Sequence, residues 1–301
     1  MLPKPLKPGD KVAILSPASI IKSEYVEGAA ATLCEAGYRP EVMPHALGRS
    51  GSFSGTAGER LADFRQALAD PEVKAIVCSR GGYGCVHLLE ALAAMPEIAA
   101  DPRWLVGFSD VSALHALWGS RGVASVHASM TKQLAKGLAN PINIELLGLL
   151  SAPSSFGGTA WEPHPYNRPG EVRAVAAGGN LAVISELTDT PFNVIRPGDI
   201  LVVEDIAEPI YKVERILYRL KLGGILPRLG GLVVGRFTDY RPSADHSSME
   251  DMIRAMVAPY GYPVAFNAPF GHIDGNRPLL LNHRSVLRVD AAGASLTPIF
   301  D

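Results

Sequence analysis

Short apolar runs alternate with helical patterns along the first half of the chain. The runs KVAIL, YRPEVMP, VKAIVC, RWLVG and GVASVH lie between Gly, Pro and Ser residues, which is typical of strands. Between them, segments such as AGERLADFRQALAD place apolar residues at helical spacing. The Gly/Ser stretch GRSGSFSG, residues 48–55, is long enough to serve as a mobile flap. The alternation predicts βαβ units and a largely parallel sheet.

The pattern becomes less regular near residue 151. The stretch SAPSSFGGTAWEPHPYNRPG is rich in Pro, Gly and Ser and has no period, so it predicts a linker. Beyond it, strand patterns such as DILVVEDI mix with helical patterns such as PIYKVERILYRLKLGG. We therefore expect an N-terminal domain over residues 1–155, a linker over 156–175 and a mixed α/β C-terminal domain over 176–301.

Composition narrows the classes of function. The 301 residues are 47% hydrophobic, which is enough for two cores. A net charge of −2 without a basic patch argues against a nucleic-acid partner. No apolar run approaches the roughly 20 residues of a membrane helix, and the first residues lack the apolar core of a signal peptide. The three cysteines form no CxxC pair, so we expect free thiols in a reducing cytoplasm, and no metal motif is present.

Four segments follow predicted strands at the carboxyl ends, where parallel sheets bind ligands. They are SPAS, SRGGYG, GFSD and HAS, which begin at residues 16, 79, 107 and 127. In GFSD, Ser109 stands on a strand-to-helix turn that suits either a helix cap or a nucleophile beside the N–H of Asp110. SRGGYG matches no nucleotide-binding loop, and it is either a plain turn or the source of a second oxyanion donor from Gly82 or Gly81.

A serine nucleophile needs a base within hydrogen-bond reach and a group that orients this base. Among the eight histidines, His272 stands in the Gly-flanked loop NAPFGHIDGN after a strand, where it can be presented without burial. His127 ends the fifth strand and is a second candidate for lining a site. Glu204, at the end of ILVVEDI, is the best candidate for the orienting acid. Asp205 and Glu208 lie nearby, and one of these three acids could be a solvated bystander.

Six motifs occur in an order that is found in a known family. They are SPAS, SRGGYG, VGFSDVSALH, GGNLAVI, LVVEDIAEPIYKVERIL and FGHIDGN. With them the chain resembles the LD-carboxypeptidases, serine peptidases of the muramoyltetrapeptide carboxypeptidase type (family S66), a family that also includes microcin C7 self-immunity proteins. The resemblance implies a flavodoxin-like or Rossmann-like N-terminal domain, a mixed α/β C-terminal domain, a homodimer and no cofactor.

The resemblance also assigns roles to the candidate residues. It implies a catalytic triad in which Ser109 is the nucleophile, Glu204 the acid and His272 the base. The oxyanion would accept hydrogen bonds from the backbone N–H groups of Asp110 and Gly82.

The implied substrate is a muropeptide, cleaved in cell-wall recycling between an L-centre of diaminopimelate or lysine and a terminal D-Ala. Arg80 or Arg277 would bind the terminal carboxylate, and Glu208 the side-chain amine. The alternatives are a microcin-immunity-like amidase that cleaves aminoacyl or peptidyl nucleotides, and a non-catalytic binder of small ligands. Two segments depart from the family pattern: HAS at 127–129 replaces HGP, and RPLLLNH at 277–283 replaces an LPxG-like segment.

Overall fold

The computed structural model describes residues 1–300 and has the predicted α/β class. The chain forms two compact units. The first comprises Met1–Phe156 together with Arg277–Asn282, and the second comprises Gly157–Asn276 together with the chain from His283 onward. No helix within residues 1–300 is both long and apolar enough to cross a membrane.

A six-stranded sheet forms the centre of the first unit. Its strands are β1 (Lys11–Leu15), β2 (Arg39–Val42), β3 (Val73–Cys78), β4 (Trp104–Gly107), β5 (Ser125–His127) and β11 (Leu279–Leu281). The spatial order is β11-β5-β4-β3-β1-β2, and all pairs are parallel except β11 with β5. The central strands are mostly apolar and buried because a parallel sheet in an α/β fold is covered on both faces.

Seven helices connect the strands of the first unit. They are α1 (Ser23–Glu35), α2 (Ala57–Ala69), α3 (Leu89–Ala93), α4 (Glu97–Ala100), α5 (Ser112–Ser120), α6 (Thr131–Leu134) and α7 (Pro141–Ser151).

The predicted flap, residues 48–55, is hydrogen-bonded to the segment after β1. Ile20 N–H donates to the Ser52 carbonyl at 3.1 Å, and Ser54 N–H donates to the Ala18 carbonyl at 2.9 Å. These bonds fix the segment alongside residues 18–20.

A seven-stranded mixed sheet forms the second unit. Its strands are β6 (Thr159–Trp161), β7 (Gly170–Asn180), β8 (Ile200–Ile206), β9 (Gly231–Thr238), β10 (Val264–Ala265), β12 (His283–Asp290) and β13 (Gly293–Pro298). The order is β10-β9-β8-β7-β12-β13-β6, in which β7 to β10 run parallel and the other pairs are antiparallel. The helices are α8 (Leu181–Ser185), α9 (Ile210–Leu222) and α10 (Met249–Val257).

The structure differs from the sequence expectation in three segments, one of which is residues 170–175: they lie within the expected linker but form the first half of β7. Thr159–Trp161, inside the expected linker, forms β6 because its backbone pairs with β13 and the Thr159 side chain is buried. The apolar run LLLNHRSVLRVD divides at Asn282, whose φ of 59° interrupts extended backbone. Leu279–Leu281 therefore joins the first sheet, although these residues lie within the expected C-terminal domain.

Candidate active site

Ser109 occupies a strained turn directly after β4. Its φ is 65°, a left-handed conformation that costs a residue with a side chain free energy and that clusters at functional sites. Phe108 is the N-cap of the short 3-10 turn Ser109–Val111, and Val111 is the N-cap of α5. Neither Ser109 nor Asp110 therefore fills a capping position, and the turn has the character of a nucleophile elbow.

The glycine loop that follows β3 packs against this turn. A Cβ on Gly81 would lie 2.9 Å from Cβ and 3.1 Å from Oγ of Ser109, so only glycine lets the loop come this close. The Asp110 carboxylate accepts a hydrogen bond from the Cys85 N–H at 2.9 Å and ties the far end of the loop to the same turn. Gly82 is exposed between these two attachment points and has a φ of 109°.

Cys85 is a poor candidate for a nucleophile. Its side chain is fully buried, and burial raises the pKa of the thiol well above its usual value, with a further contribution from the charge of Asp110. A thiolate is the reactive form of cysteine, so this thiol is held in its unreactive state.

The second unit contains a partly exposed histidine paired with a buried carboxylate. Glu204 lies in β8, has no exposed surface and sits where the register between β8 and β9 shifts. Its Oε2 accepts a hydrogen bond from His272 Nδ1 at 2.7 Å. With Nδ1 protonated by this contact, a neutral His272 carries its lone pair on Nε2, the nitrogen that can take a proton.

Gly271 lets the His272 loop approach the carboxylate. Its φ is 120°, and a Cβ there would lie 3.0 Å from the Arg236 carbonyl oxygen and 3.1 Å from Glu204 Oε2. The Gly271 N–H donates to Oδ1 of Asn276 at 2.9 Å and closes the loop FGHIDGN on itself. The glycine before the histidine is thus required by the close approach to Glu204.

Asp205 is a buried structural acid, whereas the sequence left open that it is solvated. It is 3% exposed and accepts hydrogen bonds at 2.9 Å from the Asn180 side chain and from the Ala182 and Ile206 N–H groups. Burial raises the pKa of Asp205 to about 6. Asn180 also caps α8 by accepting from the Val183 N–H at 3.2 Å. The motif GGN, whose role the sequence did not reveal, therefore anchors the residue next to Glu204.

The two arginines proposed for a substrate carboxylate differ in their environments. Arg277 is held by Glu145 through its Nε at 2.9 Å and Nη2 at 2.6 Å, so its charge is already matched. Arg80 is exposed and donates one hydrogen bond to the Ile20 carbonyl at 2.8 Å.

The other two predicted substrate residues also have neighbours. Glu208 lies 3.5 Å from Lys212, one helical turn further along. His127 has no exposed surface, and its ring centroid lies 5.7 Å from that of Phe108, the residue before Ser109. His127 also pairs with Leu279, so the two segments that depart from the family pattern are neighbouring strands of one sheet.

The structure brings the predicted residues together in two groups. Ser109, Asp110 and the glycine loop lie in the first unit, and Glu204 lies beside His272 in the second. Within residues 1–300, no cluster of three or more His, Cys, Asp or Glu side chains could hold a metal ion.

Family models now define the class of protein. A model described as the LD-carboxypeptidase N-terminal domain matches residues 12–128, and one described as the LD-carboxypeptidase C-terminal domain matches residues 173–287. The chain therefore belongs to the LD-carboxypeptidase family of serine peptidases, as its motifs indicate, and it is a carboxypeptidase-type hydrolase.

Individual relatives support this assignment. The murein tetrapeptide carboxypeptidase of Pseudomonas aeruginosa is 31% identical over 274 residues, which cover 89% of this chain and 89% of that protein. The crystal structure of muramoyltetrapeptide carboxypeptidase from Oxalobacter formigenes has a TM-score of 0.84 at 26% identity and covers 95% of this chain and 97% of that one. MccF in complex with glutamyl sulfamoyl guanosine has a TM-score of 0.85 at 20% identity over 99% of both chains, a likeness of fold alone.

Proposed function

We propose that this protein is a serine LD-carboxypeptidase that hydrolyses the amide bond between an L-centre and the terminal D-Ala of muropeptides. The observation that carries the proposal is the 2.7 Å hydrogen bond between buried Glu204 and His272, which prepares a histidine to act as a base. The strained Ser109 turn supplies the matching candidate for a nucleophile. Membership of the family and the identity with a murein tetrapeptide carboxypeptidase support the substrate class.

In the proposed reaction, His272 Nε2 takes the Ser109 proton while Oγ attacks the carbonyl carbon. Glu204 holds the imidazole in the required tautomer and stabilises its cation. The tetrahedral oxyanion accepts hydrogen bonds from the N–H groups of Asp110 and Gly82, each worth roughly 2.7–4 kcal/mol in such sites. The C–N bond then breaks, D-Ala leaves with the proton from His272, and water hydrolyses the acyl-enzyme by the same steps.

For the terminal carboxylate of the substrate we favour Arg80 over Arg277. Arg80 is exposed and lies two residues before Gly82, whereas the Arg277 guanidinium is already bound on two nitrogens by Glu145. Glu208 remains our candidate for the side-chain amine of diaminopimelate or lysine. We assign His127 a supporting role, in which it packs against Phe108 and holds the Ser109 turn from behind.

We place this reaction in the cytoplasmic recycling of cell-wall peptides, with a homodimer as the working species. Sedimentation velocity over a range of protein concentrations tests the dimer, and a species of 32.0 kDa at all concentrations would contradict it.

The substrate is tested with the tetrapeptide L-Ala-D-Glu-diaminopimelate-D-Ala, by measuring free D-Ala. The wild type is expected to release D-Ala, Ser109→Ala to release none, and Ser120→Ala, a half-exposed serine at the end of α5, to match the wild type. Equal release from the wild type and Ser109→Ala would contradict the nucleophile. Cleavage of an aminoacyl sulfamoyl adenylate without release of D-Ala would favour the amidase, and no hydrolysis of either compound would contradict both.

A further inference from the structure

We propose that Ser19 is a positioning residue of the oxyanion hole and that it fixes the direction of the Gly82 N–H. The inference rests on the proposed function, in which Gly82 is an oxyanion donor. Ser19 ends the SPAS segment after β1 and lies at the same end of the sheet as the glycine loop. The first three positions of the motif SPAS are buried, but Ser19 is partly exposed, so it is placed to act at the surface of the loop.

Ser19 holds the loop on both sides of Gly82. Its backbone N–H donates to the Gly81 carbonyl at 3.2 Å, and its hydroxyl accepts a hydrogen bond from the Tyr83 N–H at 3.4 Å. The peptide group between Gly81 and Gly82 is therefore attached at its carbonyl, and the next peptide group is attached at its N–H.

Because the peptide bond is planar, the hydrogen bond from Ser19 to the Gly81 carbonyl also fixes the direction of the Gly82 N–H. In a trans peptide the C=O and N–H groups point in opposite directions, and no cis peptide bond occurs within residues 1–300. Because the Gly81 carbonyl points at Ser19, the Gly82 N–H must point away from it. Among the described residues of the first unit this N–H finds no acceptor, and Gly82 is exposed. A directed, exposed N–H beside the Ser109 turn is what an oxyanion donor requires.

The space around Gly82 shows that the side chain of Ser19 and the absence of a side chain at position 82 fit each other sterically. A Cβ on Gly82 would lie 2.2 Å from the Ser19 hydroxyl oxygen, so this hydroxyl fills the volume that a side chain at position 82 would need. Glycines on both sides of the peptide group give it wide conformational freedom, and rotation by half a turn would present a carbonyl oxygen to the oxyanion. The Ser19 contacts restrain that rotation.

Ser19 is itself held by neighbouring segments. It forms an isolated antiparallel bridge with Phe53 of the segment 48–55. Arg60, which is 2% exposed, donates to the Pro17 carbonyl and, at 2.9 Å, to the Gly84 carbonyl, and so joins the SPAS segment to the far end of the glycine loop. The contacts that orient the Gly82 N–H are therefore already in place before charge develops on the substrate.

The test compares Ser19→Ala and Ser19→Thr with Ser23→Ala, an exposed serine at the start of α1 that serves as the matched control. The first readout is hydrolysis of the tetrapeptide. Ser19→Ala is expected to lower kcat about tenfold with little change in KM, less than the hundredfold or more that loss of a whole donor costs. Ser19→Thr, which keeps the hydroxyl, is expected to recover most of the rate, and Ser23→Ala to match the wild type.

The second readout does not depend on the peptide substrate. A fluorophosphonate reacts with Ser109 by forming an O–P bond while the P–F bond breaks, fluoride leaves and the serine proton passes to His272. The phosphoryl oxygen uses the same donors, so Ser19→Ala should label about tenfold more slowly than the wild type.

The outcomes separate the two proposals. If the wild type is labelled but does not cleave the tetrapeptide, the substrate proposal fails and the labelling rates alone decide the role of Ser19. Unchanged labelling and kcat in Ser19→Ala, or a rise in KM with kcat unchanged, would overturn the positioning role. If the wild type is neither labelled nor able to release D-Ala, both proposals are overturned, and if it releases D-Ala without being labelled, kcat alone decides the role of Ser19.

Discussion

The two units hold the predicted catalytic residues by different means. In the first unit, backbone geometry presents Ser109. This residue has a left-handed φ, and the glycine loop packs so close to it that a Cβ at position 81 would not fit. In the second unit, a buried charge holds His272. The Glu204 carboxylate, which has no exposed surface, accepts a hydrogen bond from the imidazole. The activity that depends on the first unit should therefore be sensitive to added side-chain volume, and the activity that depends on the second unit to changes of charge. This difference can be tested one substitution at a time.

The largest effect is expected from Glu204→Gln, which keeps the shape of the side chain and removes its charge. The amide favours the wrong imidazole tautomer and no longer stabilises the imidazolium, so we expect kcat to fall about 10³–10⁴-fold. Steady-state release of D-Ala measures the loss, and a thermal melt shows whether the fold is retained. Glu171→Gln, on an exposed position of β7, is the matched control and should keep wild-type activity. Activity within tenfold of the wild type would contradict the role of the charge.

Gly81→Ala tests how sensitive the Ser109 turn of the first unit is to added side-chain volume. The new methyl group would lie 2.9 Å from Ser109 Cβ and 3.1 Å from the Asp110 nitrogen, so the loop or the serine must move. A displacement of about 1 Å at a reacting group can cost about a hundredfold in rate, and we expect kcat/KM to fall by about that factor. Wild-type activity in this variant would show that the close approach is unimportant.

The pH dependence of stability should have opposite signs at one buried group in each unit. Burial lowers the pKa of His115 from 6.5 to about 3, so the stability that its neutral form contributes is present above pH 6.5 and is lost as pH falls toward 3. Burial raises the pKa of Asp205 from 3.8 to about 6, so its contribution is present below pH 3.8 and is lost as pH rises through 6. At about 1.4 kcal/mol per pKa unit, the full effects are on the order of 5 kcal/mol for His115 and 3 kcal/mol for Asp205.

Thermal melts of His115→Gln and Asp205→Asn between pH 4 and pH 7.5 separate the two groups. The advantage of the wild type over His115→Gln should grow as pH rises, and its advantage over Asp205→Asn should shrink. Parallel slopes for the two variants would refute the opposite signs.

The smallest effect is expected from Gly148→Ala, the counterpart of Gly81→Ala away from the site. Gly148 lies within α7, and no atom lies within 4 Å of a Cβ placed there. Alanine should stabilise the helix by about 0.5–1 kcal/mol because it loses less conformational freedom on folding. Chemical denaturation measures the change, with activity expected to stay at the wild-type level. Destabilisation would show that the position is more constrained than its surroundings indicate.

Much of this protein could be predicted because its signals are local. The helical pattern of AGERLADFRQALAD is confirmed as α2, and Thr56 caps this helix by accepting a hydrogen bond from the Glu59 N–H at 3.2 Å. The alternation of apolar runs predicted the parallel-rich first sheet, and the order of six motifs predicted the family. The catalytic roles of Ser109, Glu204 and His272, and of the substrate residues, stay predictions.

Other features could not be predicted because their cause is distant in sequence. The expected linker contains β6 only because β13, more than a hundred residues later, offers it a pairing edge. Asp205 looks like a solvated neighbour of Glu204 until Asn180 and the start of α8 are seen to enclose it.

The sequence by itself determined the class of fold, the family and the short list of chemical groups, because periodicity, turn residues and motif order are properties of neighbouring positions. Only the tertiary structure showed the environment of each of these groups. It showed that Ser109 has a left-handed φ and caps no helix, that the buried Glu204 is hydrogen-bonded to His272, and that the Ser19 N–H donates to the Gly81 carbonyl. The physical reason is that burial, pairing and close approach depend on segments far apart along the chain.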